Sequence, residues 1–83
     1  MEYPQYRKYK GLEVYFYIRS EKEFEETKVI GSKYSISKVR AIQFPEQLLI
    51  QDMLNNVDER WEILSATLFD DKINAIKEGK TKI

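Results

Sequence analysis

Up to about residue 41, apolar and polar positions tend to alternate; beyond Pro45 apolar residues recur every three to four positions. The first pattern predicts strands half-buried on one face, the second amphipathic helices. Gln5 to Tyr9 and Leu12 to Ile18 flank Lys10-Gly11, which reads as a two-residue hairpin turn with glycine supplying a positive φ. That turn sets Tyr6 opposite Tyr15, Lys8 opposite Glu13 and Glu2 opposite Arg19. Leu12, Val14, Phe16 and Ile18 then share the other face with Tyr3 and Tyr9, and this is the expected core side. Phe24 to Ile30 and Lys33 to Ala41 flank Gly31-Ser32, a second hairpin; a two-residue turn has Glu25 facing Lys38, Glu23 facing Arg40 and Val29 facing Tyr34, and a three-residue loop, which the weak alternation leaves open, would flip the partners.

Pro45 suits a first helical residue. Leu49, Met53 and Val57, widened by Ile50 and Leu54, form the stripe of a helix at about 45–56. Trp61 to Ser65 alternates and predicts a short fifth strand. Thr67-x-x-Asp70 resembles a capping box, and Phe69, Ile73 and Ile76 line a helix at about 68–78. Gly79 stops it, with Lys77, Lys80 and Lys82 placed to complement its C-terminal dipole. The fold expected is α+β: a four-stranded antiparallel meander of two hairpins, then helix, short strand, helix (ββββαβα), with the helices on one face of the sheet. Its core is Val14, Phe16, Ile18, Leu49, Met53, Trp61, Phe69, Ile73 and Ile76.

Eighty-three residues make a single domain, 1–83. Hydrophobic residues are 42% of the chain and the net charge is zero, so the chain has the means to fold unaided. Residues 1–40 carry nine Lys or Arg against six Asp or Glu, and residues 41–83 carry five against eight. An asymmetry this mild argues against a dedicated nucleic-acid binder, which needs many phosphate contacts. No secretory leader pattern opens the sequence. Its longest apolar run, Val14 to Ile18, is far below a membrane span. A cytoplasmic location without membrane contact is the default.

Candidate chemistry is sparse because the chain has no His and no Cys. Zinc and most transition metals lack their preferred ligands. Asp70-Asp71 reads as a favourable first helical turn rather than a cation site. The glycines are isolated, so no phosphate-binding loop exists, and Gly31-Ser32-Lys33 is better read as a hairpin turn. No histidine activates Ser20, Ser32, Ser35, Ser37 or Ser65, and a Ser–Lys arrangement through Ser35, Ser37 and Lys38 is not selected by spacing. Glu23, Glu25 and Glu26 pair across to cations. The expectation is a non-enzyme with no cofactor, no metal and no inferable small-molecule ligand.

One feature stands above background. All six tyrosines lie in the first 34 residues, among Arg7, Lys8 and Lys10. Tyr6, Tyr15 and Tyr17 share the face opposite Val14, Phe16 and Ile18 with Lys8 and Arg19. Exposed, these five side chains form an aromatic and basic hot spot for a protein partner. Covered, they are strand tyrosines packed against neighbours with wet hydroxyls, and helices could bury the sheet on both sides. The reading that follows is a non-catalytic binding or accessory module using that face for protein–protein interaction. Its alternatives are a small nucleic-acid-associated protein using the same face with Arg7 and Lys10, and a homo-oligomeric structural protein joined through a sheet edge.

Tyr3-Pro4-Gln5-Tyr6-Arg7-Lys8-Tyr9, Tyr15-Phe16, Phe24-Glu25-Glu26, Val29-Ile30-Gly31, Ile50-Gln51-Asp52-Met53-Leu54 and Trp61-Glu62 resemble a group of short, uncharacterised bacterial proteins of the Bacteroidetes type. That group has no assigned activity. The resemblance spans most of the chain and implies a bacterial cytosolic protein; it carries over no functional residue.

Overall fold

The computed structural model of the chain describes residues 2–82. Strands β1 (Gln5–Tyr9), β2 (Val14–Ser20), β3 (Glu23–Ile30) and β4 (Lys33–Arg40) form the meander. Helix α1 (Phe44–Asn55), a 3-10 turn (Val57–Glu59), β5 (Trp61–Leu64), α2 (Ala66–Gly79) and a two-residue β6 (Thr81–Lys82) follow. The fold is α+β in the order ββββαβα, with β6 as an addition the sequence did not signal. The sheet runs β5-β1-β2-β3-β4-β6, so the strands after α1 become its two edges. All pairings are antiparallel except β4 with β6.

The second hairpin has the register of the two-residue turn: Glu25 pairs with Lys38, Glu23 with Arg40 and Val29 with Tyr34. Gly31 takes the positive φ of 61° that the turn requires. The first hairpin differs. Tyr6 pairs with Tyr17 and Lys8 with Tyr15, because residues 10–13 make a four-residue loop rather than Lys10-Gly11 a two-residue one. Leu12 consequently leaves the strand and is 57% exposed. A slip of two residues preserves side-chain faces, whereas a slip of one would invert them.

The helices do not share a face of the sheet; that expectation is corrected. On one face α1 contributes Ile50 and Met53 to a core with Phe16, Ile18, Phe24, Ala41 and Trp61. On the other, Phe69, Ile73 and Ile76 of α2 pack on Tyr15, Tyr34 and Leu64. Tyr15 and Phe16 are adjacent and both buried, so β2 is covered on both sides. Of the expected core, Val14 and Leu49 are only partly buried and the other seven are buried.

The start of α2 also shifts. Its N-cap is Ser65, whose side chain accepts a hydrogen bond from the Leu68 N–H at 3.1 Å, so Thr67 lies inside the helix. At the far end the Lys80 ammonium donates to the Gly31 carbonyl at 2.8 Å, and the Thr81 N–H to that of Ser32 at 3.0 Å. The side chain of Lys82 lies outside the described residues.

Candidate functional site

Tyr6, Lys8, Tyr15, Tyr17 and Arg19 do share one face, but α2 crosses its centre. Tyr15 is 5% exposed and belongs to the α2-side core. The Tyr6 ring lies 4.8 Å from Phe69 and 5.5 Å from Tyr17, and Tyr17 lies 6.2 Å from Phe69. Burial pushes the Tyr15 hydroxyl above its ordinary pKa, reinforced by Glu13 and Glu62; Tyr6 is raised by burial and then by Tyr17 and Asp70. Lys8 is tied internally: its ammonium donates to the Tyr9 carbonyl at 3.0 Å, lies 3.7 Å from a Glu62 carboxylate oxygen and sits 5.8 Å from the Tyr15 ring centre. Arg19 alone of the five is exposed, 5.8 Å over the Tyr17 ring. Tyr15 is thus a packing residue, and the five side chains do not form an open aromatic surface.

Arg19 instead borders a shallow hollow with Glu23, Phe24, Glu25, Lys38, Val39 and Arg40. Its carboxylates are engaged, Arg40 with Glu23 at 3.5 Å and Lys38 with Glu25 at 3.7 Å. A second surface lies at the start of α1, where the exposed Phe44 and Leu48 stand beside Glu21, Lys22 and Gln47. Among the described residues no three His, Cys, Asp or Glu side chains cluster to hold a metal ion, and no helix is long and apolar enough to cross a membrane.

The feature that sequence reasoning missed is the outer edge of β5. The Lys10 N–H donates to the Arg60 carbonyl at 3.1 Å, which sets the phase of the β1–β5 ladder. In an antiparallel pair the backbone groups of successive residues point alternately toward and away from the partner. Glu62 and Leu64 therefore bond to β1, and Trp61, Ile63 and Ser65 point outward. The outward Trp61 N–H is closed by the Asn56 side-chain oxygen at 3.0 Å. The Ser65 carbonyl is used by Phe69 at 2.9 Å. The Trp61 carbonyl, both groups of Ile63 and the Ser65 N–H are left facing outward. A shallow, open cleft lies beside this edge, lined by Lys10, Glu62, Ile63, Leu64, Leu68 and Lys72 among others. Ile63 is 67% and Leu68 44% exposed.

In the alternating strand read from the sequence, Ile63 falls on the Trp61 side, though it is not among the expected core residues. The alternation is right, but β5 is the outermost strand and α1 does not reach Ile63. Only the pairing of β5 with β1, a long-range choice, reveals the edge. Compared with known proteins, the chain matches no protein family, no curated protein and no solved structure.

Proposed function

We propose that this chain is a non-catalytic protein-interaction module that receives an extended segment of a partner along the outer edge of β5. The observation that carries this reading is the set of four outward backbone groups at Trp61, Ile63 and Ser65 beside the exposed side chains of Ile63 and Leu68. Strand addition draws affinity from main-chain hydrogen bonds and specificity from alternate side chains. Natural edge strands are commonly blunted by charge, proline or a covering element. Here Ile63, at the middle of the edge, is apolar and exposed. On this reading the binding surface differs from the tyrosine face, whose central residue, Tyr15, is buried. A bacterial cytoplasmic setting fits the reading and rests on the sequence resemblance alone.

Proline at position 63 provides the test, because it removes an outward N–H without cutting the β1–β5 ladder; proline is tolerated in edge strands in that orientation. Blocked nine-residue peptides alternating valine with aspartate, serine or lysine are titrated into isotope-labelled protein. At least one should shift the amide resonances of Ile63 and Ser65. Ile63→Pro should retain the wild-type spectrum elsewhere and lose the response. If no peptide shifts those amides, or the folded proline variant responds as the wild type does, the edge is not a binding site.

A further inference from the structure

Resting on the reading of β5 as a strand-capturing edge, we infer that the segment it receives is acidic on one face and apolar on the other. The pleat of the sheet sets this pattern. Ile63 pairs with Arg7 and lies on the α1 side of the sheet, whereas Glu62 and Leu64 pair with Lys8 and Tyr6 on the α2 side. Continuing the alternation of β1 puts Lys10 on the α2 side as well, and Lys10 and Lys72 line one cleft with Leu64 and Leu68. A strand laid antiparallel along β5 therefore sets one residue beside Ile63 on the α1 side. That residue's two neighbours fall on the α2 side, one opposite Leu64 and one opposite Glu62, whose carboxylate Lys8 engages at 3.7 Å.

The charges of the cleft favour an acidic occupant. Glu62 is its one carboxylate, and it is engaged by Lys8 at 3.7 Å. Among the described residues neither Lys10 nor Lys72 has a carboxylate within ion-pair distance. The cleft thus presents two uncompensated cations beside free main-chain groups. Opposite charges across neighbouring strands are favourable and like charges opposed are not.

The same charges, and the edge groups already bonded, disfavour a second copy of this chain. Two β5 edges pairing antiparallel can centre on Ile63, on Glu62 or on Leu64, and the last needs the Ser65 carbonyl that Phe69 already uses. The first arrangement brings the two copies of Lys72 to the same face beside the symmetry axis. The second needs the Trp61 N–H that Asn56 already holds.

The three peptides of the preceding test separate the outcomes. The aspartate–valine peptide should bind most tightly, and its affinity should fall as salt rises. The double variant Lys10→Glu with Lys72→Glu should weaken it on the order of ten-fold and strengthen the lysine–valine peptide. If the serine or lysine peptide binds as well as the aspartate peptide to the wild type, the acidic partner is wrong while the edge stands. Silence from all three removes the edge reading itself. Sedimentation that finds a dimer which Ile63→Pro dissociates assigns the edge to a second copy and overturns the acidic partner.

Discussion

Arg7 is 4% exposed and lies in the middle of β1 beneath α1, with no carboxylate partner among the described residues. Its Nε donates to the Met53 carbonyl and one terminal nitrogen to that of Tyr6, both at 2.9 Å. Burial lowers its pKa from the ordinary arginine value, yet a guanidinium starts so high that it stays charged at neutral pH. Met53 belongs to the last turn of α1, where the helix dipole concentrates partial negative charge. Two hydrogen bonds from a charged donor contribute about 1.5–3 kcal/mol each. Desolvating the cation costs several kcal/mol. The two terms nearly cancel, so Arg7→Met, which keeps the length and removes the charge, should unfold within about 1 kcal/mol of the wild type or be more stable. The Met53 carbonyl is not orphaned by that change, because it also accepts the Asn56 N–H at 3.2 Å. Arg7→Ala instead empties the site under α1 and should lose about 3–5 kcal/mol. In a domain of this size that difference is on the order of 15 °C or more in Tm. Urea unfolding of the three proteins, with slopes compared, measures both values. If the methionine variant loses as much as the alanine variant, the guanidinium is a net stabiliser and the cancellation argument is wrong.

Tyr15→Ala should lose about 3–5 kcal/mol, as for other large buried aromatics; thermal unfolding unchanged from the wild type would put Tyr15 at the surface after all. The raised pKa values of Tyr6 and Tyr15 mean that the fold favours their neutral forms. Their contribution to stability is complete below the unfolded tyrosine value of about 10 and is lost as pH rises through the folded values. Absorbance titration at high pH should find these two ionising last, together with unfolding, and normal titration of all six tyrosines in folded protein would contradict it.

The parts of the fold legible in the sequence are those set by local spacing. Gly31-Ser32 marked the turn, and of the two loop lengths open to it the structure takes the two-residue one, which sets every pairing of β3 with β4. The apolar spacings at Met53 and at Phe69, Ile73 and Ile76 gave the buried faces of both helices. Lys10-Gly11 misled because a glycine suits a four-residue loop as well as a two-residue one, and only packing decides between them. The double coverage of β2 left a trace in Val14-Tyr15-Phe16-Tyr17-Ile18, since a strand buried on both faces reads as a continuous apolar run rather than an alternation. Tyrosine obscured that trace, because its ring suits a core and its hydroxyl suits water. Strand order was not legible: the pairing of β5 with β1, and hence the exposure of Ile63, depends on contacts between residues more than 50 positions apart.

The sheet order β5-β1-β2-β3-β4-β6 also bears on how the chain folds. The meander from Gln5 to Arg40 is built from neighbours in sequence, whose short loops close early. Both borders of the sheet come from residues 61–82, which join only through long-range contacts. Until they dock, the meander displays the rings of Tyr15 and Tyr34 and two bare flanks, the condition in which sheets associate with one another. Residues 61–82 therefore shield the first half in one stretch: β5 and β6 cap its flanks while α2 covers its tyrosines, and removing them would unmask both together.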